Sequence, residues 1–167
     1  MKRFNVLMSA IVLLASVQAC AQNKKSPKAV AEGTIGGAEI KINYHQPSAR
    51  GRTMIGGEKV PYGAVWRTGA NNATTFETSS DIKVGGETLP KGIYGLYTIP
   101  NKEEWTVIFN SVSDLWGKNG YDESKDVLRL KVSSSKPEAH VETFVISVED
   151  DGMVLAWENS EVKVPIE

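Results

Sequence analysis

The stretch Glu142–Glu158, ETFVISVEDDGMVLAWE, decides the fold class. Apolar residues recur at every second position on both sides of a short acidic turn that ends in glycine. A period of two indicates a half-buried strand, and two such runs joined by a turn at Asp151-Gly152 predict an antiparallel hairpin. The residues expected to face the core are Phe144, Ile146, Val148, Leu155 and Trp157.

The same alternation recurs along most of the chain. Its clearest further runs are AEIKINY at 38–44, EWTVIFN at 104–110, VLRLKV at 127–132 and EVKVPI at 161–166. Glycine pairs at 36–37 and 85–86 mark hairpin turns, and no window has a helical period. We expect about nine or ten short strands in one domain over residues 29–167: an all-β antiparallel sandwich, jelly-roll-like or a partly closed barrel.

The first segment of the chain predicts export. Lys2 and Arg3 precede the apolar run VLMSAIVLLA at 6–15, which is too short to cross a bilayer. We therefore expect an export signal at 1–21 and a polar linker at 22–28. Two processing routes stay open. Ala-Cys-Ala suits signal peptidase cleavage before Gln22, whereas Val-Gln-Ala-Cys resembles a lipobox that would make Cys20 a lipidated first residue.

Composition excludes several classes of function. The formal net charge of -1 supplies no field that would attract nucleic acid or an anionic membrane. Cys20 is the only cysteine, so the domain has no internal disulfide. His45 and His140 lack metal-ligand spacing, and we expect neither a metal site nor a cofactor.

Two long segments, 46–73 and 111–126, break the alternation. Long loops are usually functional or disordered, and the aromatic residues in these two favour order. The first contains VPYGAVWRTGANNATTF at 60–76, where arginine and asparagine stand beside aromatic rings. Arginine, including Arg50, suits a carboxylate, phosphate or sulfate group, and asparagine both donates and accepts hydrogen bonds. The predicted ligand-binding residues are Arg52, Tyr62, Trp66, Arg67, Asn71, Asn72, Trp116 and Tyr121.

Structural roles compete with this interpretation. Arg67 and the asparagines would equally satisfy loop backbone, with Trp66 capping the core. Ser48 lies near His45 in the chain, but there is no Gly-x-Ser-x-Gly elbow, so no catalytic residue is predicted.

Five segments carry a family resemblance: YHQPSARGRTMIGG at 44–57, the stretch at 60–76, GGETLPKGIYGLYTIP at 85–100, EWTVIFN, and WGKNGYDESKD at 116–126. Together they resemble the uncharacterised family of bacterial exported proteins catalogued as domain of unknown function 2911, over about residues 26–166. Gln46 departs from that family, which usually has arginine there. The resemblance implies a periplasmic or membrane-anchored cell-envelope protein of one domain, and it implies no reaction.

We therefore expect a secreted binding module for a small polar ligand, anionic or carbohydrate-like. The alternatives are a module that docks another envelope protein, and an envelope hydrolase. Membrane contact is expected only through a lipid on Cys20. The two irregular segments should meet above the sheet and form a shallow cleft.

Overall fold

The computed structural model describes residues 26–167. The predicted export signal, Cys20 and the start of the predicted linker lie outside the described residues. Eleven strands and one short 3₁₀ turn at Glu123–Lys125 occur in the described part. The strands are β1 (Lys28–Ile35), β2 (Ala38–His45), β3 (Thr74–Thr78), β4 (Ile82–Val84), β5 (Glu87–Leu89), β6 (Gly92–Ile99), β7 (Glu104–Asn110), β8 (Asp126–Ser135), β9 (Val141–Glu149), β10 (Gly152–Glu158) and β11 (Ser160–Pro165).

Nine of the strands form one antiparallel sheet in the order β1-β2-β3-β6-β7-β8-β11-β10-β9. The two remaining strands, β4 and β5, form a small hairpin, which pairs with the end of the chain through a bridge between Val84 and Ile166. The all-β antiparallel prediction is confirmed. Eleven strands occur in the described residues, where about nine or ten were expected.

The large sheet curls until its edge strands β1 and β9 approach each other. They are so close that a Cβ atom at Gly33 of β1 would lie 2.6 Å from Cγ1 of Val148 in β9. The start of β9 is covered by the segment after β2: the amide of Phe144 donates to the carbonyl of Pro47 at 2.9 Å, and the amide of Ala49 to that of Glu142 at 2.9 Å. The result is a nearly closed barrel.

The barrel interior holds the residues that the alternation assigns to it. Phe144, Ile146, Leu155 and Trp157 are buried, while Val148 is half-buried where the two edges meet. The hairpin turn lies one residue earlier than predicted, because Glu149 pairs with Gly152 and leaves Asp150 and Asp151 as the turn. Burial of this apolar interior is the main stabilising contribution to such a fold.

Trp66 closes one end of the barrel. Its ring stacks on Trp157 with centroids 5.6 Å apart, and meets Phe144 at 5.0 Å and Trp105 at 6.2 Å in edge-to-face arrangements. Its indole N–H donates to the carbonyl of Gly69 at 3.0 Å, so the polar edge of the buried ring is satisfied. The alternative role of Trp66, capping the core, is the one that these contacts show.

A second, smaller apolar cluster lies on the outer face of β6 and β7. Tyr97 and Ile108 are fully buried there, and Ala73 is buried beside them. Leu115 and Tyr121 from the second irregular segment pack against it. Both irregular segments are thus anchored on the outside of the barrel by apolar packing. Within residues 26–167, no helix is long and apolar enough to span a membrane.

Candidate functional site

The two irregular segments meet beside β6. The amide of Ala73 donates to the carbonyl of Leu115 at 3.0 Å. A Cβ atom at Gly117 would lie 2.6 Å from Nη1 of Arg67, so the guanidinium group packs directly against the backbone of the second segment. Glycine at position 117 leaves the space that the arginine side chain occupies.

Arg67 stands at the base of a closed loop. Just before it, Trp66 pairs with Thr98 of β6, the two amides donating to the opposite carbonyls at 2.7 and 2.9 Å. The chain returns at Thr74, whose amide donates to the carbonyl of Arg67 at 3.3 Å and whose hydroxyl donates to the carbonyl of Thr68 at 2.6 Å. These bonds fix the backbone from which Arg67 projects.

A cleft with a cavity volume of about 600 Å³ lies at this end of the barrel. Trp66 and Trp157 contribute to its wall, which links it to the aromatic end of the core. Its other lining residues are Ser26, Pro47, Ser48, Arg50, Arg52, Met54, Lys59, Val60, Pro61, Ala64, Val65, Arg67, Gly69, Ala70 and Lys118.

Every ionisable residue that lines the cleft is basic. Arg50, Arg52, Lys59 and Arg67 come from the first irregular segment and Lys118 from the second, and no aspartate or glutamate lines the cleft. Like charges gathered around one concave space create a positive potential, because the low-dielectric walls focus the field. The cleft therefore favours an anion.

The partners of these side chains show how much of that charge is compensated. The guanidinium group of Arg52 donates to the backbone carbonyls of Ala49 at 2.9 Å and Ser48 at 3.1 Å, which are neutral. Lys59 forms an exposed ion pair with its neighbour Glu58 at 3.0 Å, which contributes little in water. Among residues 26–167, no acidic side chain forms an ion pair with Arg52.

Arg67 has the most distinctive environment of the five. Its Nε atom is buried, and no group in the described part of the chain accepts a hydrogen bond from it. Nor does any carboxylate between Ser26 and Glu167 form an ion pair with Arg67 or with Lys118, which belongs to the second irregular segment. Arg67 and Lys118 therefore bring positive charge to the cleft that no carboxylate in the described residues compensates.

The side chain of Glu158 is hydrogen-bonded to the backbone of the cleft wall. Its carboxylate accepts hydrogen bonds from the amides of Met54, at 3.0 Å, and Ile55, at 2.7 Å, and the residue is buried. It occupies the left-handed region with φ 55°, at a bulge in the pairing of β10 with β9. Because Met54 lines the cleft, the carboxylate positions part of the cleft wall.

Three of the eight predicted site residues line the cleft: Arg52, Trp66 and Arg67. Asn71 is exposed at φ 58° in the loop closed by Arg67 and Thr74. Asn72 lines a separate, smaller cavity of about 410 Å³ on the outer face of β1–β3, beside His45. The sequence interpretation missed Lys59, Lys118 and Glu158.

The other three predicted residues lie outside the cleft lining. Tyr62 is 40% exposed and sits over Gly56, and Trp116 is 62% exposed. Tyr121 packs on Tyr97 with ring centroids 4.9 Å apart, and its hydroxyl donates to Oδ2 of Asp126 at 2.7 Å. Burial, followed by that hydrogen bond, raises the pKa of Tyr121 well above its ordinary value. These contacts give Tyr121 a structural role, which is to fix the second irregular segment to the barrel.

The residues considered for catalysis or metal binding are dispersed. The Ser48 hydroxyl is hydrogen-bonded to that of Thr143 at 2.8 Å. His45 belongs to the smaller cavity, and His140 lies 3.5 Å from Glu142 on the surface. In the part of the chain that the structure describes, no three histidine, cysteine, aspartate or glutamate side chains are grouped so as to hold a metal ion.

Comparisons with known proteins identify the family and nothing finer. No curated protein and no solved structure matches the chain. One family model, described as a protein of unknown function (DUF2911), matches residues 26–166, which include every strand of the barrel and both irregular segments. The chain therefore belongs to the DUF2911 family.

Proposed function

We propose that this protein is an exported binding module of the bacterial cell envelope that holds a small anionic ligand in the basic cleft. The proposal narrows the expected polar ligand to an anion. One observation carries it: the cleft is lined by five basic residues and no acidic one. Arginine and lysine in such a space suit carboxylate, phosphate and sulfate groups.

Calorimetric titration of the purified protein with inorganic phosphate, sulfate, succinate and a neutral sugar tests this proposal. We expect the anions to bind and the sugar not to bind. Arg67→Gln keeps a polar side chain and removes its charge, so it should weaken anion binding by about 1–3 kcal/mol, roughly fivefold to 150-fold.

A matched pair of lysine variants controls for a general loss of positive charge. Lys118→Gln should weaken anion binding because Lys118 lines the cleft, whereas Lys136→Gln should not, because Lys136 is exposed and outside the lining. Anion binding that is equally strong in all four proteins would contradict the proposal, as would the absence of any anion binding to the native protein.

Export and lipidation are part of the same proposal. The sequence of the first 21 residues supports export, and the intact mass of the protein from its native host separates the two processing routes. A lipid on Cys20 adds the mass of the acyl chains, whereas cleavage before Gln22 removes Cys20 altogether.

One observation favours a second candidate function, the docking of an envelope partner. Trp116 exposes 62% of its surface, although tryptophan is usually much more buried. Trp116→Ser should abolish capture of such a partner without changing anion affinity. The hydrolase alternative gains no support from the Ser48 hydroxyl, which pairs with Thr143.

A further inference from the structure

This inference rests on the proposed function and names the class of the ligand. We infer that the cleft takes an amphiphilic phosphate: a phosphate monoester head attached to an apolar body about the size of a ring or a short acyl chain. The argument has three parts, which concern the head, the body and the shape of the space between them.

The head must suit several cations that line one cleft. Arg52 and Arg67 belong to the first irregular segment and Lys118 to the second, and no carboxylate in residues 26–167 forms an ion pair with any of them. A carboxylate offers two oxygens in one plane and a single charge. A phosphate monoester offers three terminal oxygens and a charge of about -1.5 to -2 at neutral pH, so it suits a cleft lined by several cations better.

The body follows from the size and apolar character of the cleft. A volume of about 600 Å³ lies in the middle of the range found for sites that hold whole small molecules, so a bare inorganic ion would leave most of it unused. More than half of the lining residues are apolar. Among them Pro61 is exposed and Ala64, Val65 and Ala70 are half-buried, so these four are available to contact a ligand.

The aromatic end of the cleft does not supply a stacking platform. One face of the Trp66 ring already lies on Trp157, its N–H is bonded to Gly69, and the residue is only 6% exposed. An apolar body therefore lies against the small residues of the wall, where Ala64 leaves the room that a larger side chain would fill.

Phenyl phosphate is a direct probe, compared with inorganic phosphate for the head alone and benzoate for a singly charged head on the same ring. Phenyl phosphate should bind about tenfold or more tighter than either. Ala64→Leu should remove that advantage by filling the wall of the cleft. Ala139→Leu, on an exposed alanine outside the cleft, should change nothing.

The outcomes separate the two proposals. If inorganic phosphate binds but phenyl phosphate binds no tighter, or if benzoate equals phenyl phosphate, the amphiphilic class is wrong and the anion cleft stands. The class is also wrong if Ala64→Leu keeps the full advantage. If no anion binds, both proposals fail.

Two sources could supply such a ligand, a lipid headgroup or a soluble phosphorylated metabolite. Vesicles of phosphatidylcholine with and without phosphatidic acid distinguish them. Binding of the native protein to the phosphatidic acid vesicles, weakened in Arg67→Gln, identifies the lipid source. Binding of phenyl phosphate without vesicle binding identifies the soluble one.

Discussion

Replacing Glu158 removes a buried carboxylate that two backbone amides require. The amides of Met54 and Ile55 donate to it at 3.0 and 2.7 Å, and these bonds hold the first irregular segment to β10. In Glu158→Ala both amides lose their acceptor. Since an unsatisfied buried donor costs about 1–3 kcal/mol and the segment can partly relax toward water, we expect a loss of about 2–4 kcal/mol in the free energy of unfolding.

Two further variants divide this loss into its causes. Glu158→Gln keeps an acceptor oxygen and loses only the charge, so we expect a loss of about 1–2 kcal/mol. Glu158→Gly loses both hydrogen bonds but relieves the left-handed backbone at φ 55°, and it should be about 1 kcal/mol more stable than the alanine variant. The expected order of stability is native, glutamine, glycine, alanine.

Urea unfolding of the native protein and the three variants measures this order. For a chain of this length, thermal unfolding should shift by about 2–4 °C for each kcal/mol. Because Met54 lines the cleft, phosphate affinity should fall along the same series. An alanine variant that unfolds within about 0.5 kcal/mol of the native protein would refute the reasoning, since it would mean that water satisfies both amides without loss.

Two other predictions test the loops. Gly117→Ala should weaken phosphate binding measured by calorimetry, because the new methyl group would lie 2.6 Å from Nη1 of Arg67 and displace the guanidinium group. Gly86→Ala is the control, since Gly86 has the same left-handed backbone but open space around it. The phosphate affinity of this control should match the native value. Burial and the bond to Asp126 raise the pKa of Tyr121, so the native state keeps a proton that the unfolded chain releases near pH 10. The free energy of unfolding should therefore fall as pH rises above about 10. Urea unfolding at alkaline pH should show a smaller fall in Tyr121→Phe, which should also lose about 1 kcal/mol of stability at neutral pH. An equally steep decrease of stability with pH in this variant would contradict the prediction.

The strands could be predicted because each one carries its own signal. In β2 the buried Ile40, Ile42 and Tyr44 alternate with exposed residues, and that pattern needs no knowledge of the rest of the chain. The closure of the sheet could not be predicted in the same way. It depends on Gly33 meeting Val148, a contact between strands far apart in sequence, for which neither residue type is diagnostic.

The site was predictable only where residue type and local context coincide. Arg67 stands in a loop rich in glycine and hydrogen-bonding groups, which is why the sequence points to it. Lys59 and Lys118 look like ordinary surface lysines, and only the meeting of the two irregular segments brings them to one cleft. Glu158 looks like a polar strand residue, and the bulge that turns it inward leaves no mark in the alternation.

The closure of the barrel also bears on how the protein resists aggregation. An open strand edge offers unpaired amides and carbonyls onto which a foreign strand can add. Here the two edge strands of the large sheet, β1 and β9, lie against each other. Ser48 also forms a bridge with Thr143 at the start of β9. Strand addition from another molecule would first have to pull this seam apart, so we expect partly opened forms, and not the native state, to be the species that associates.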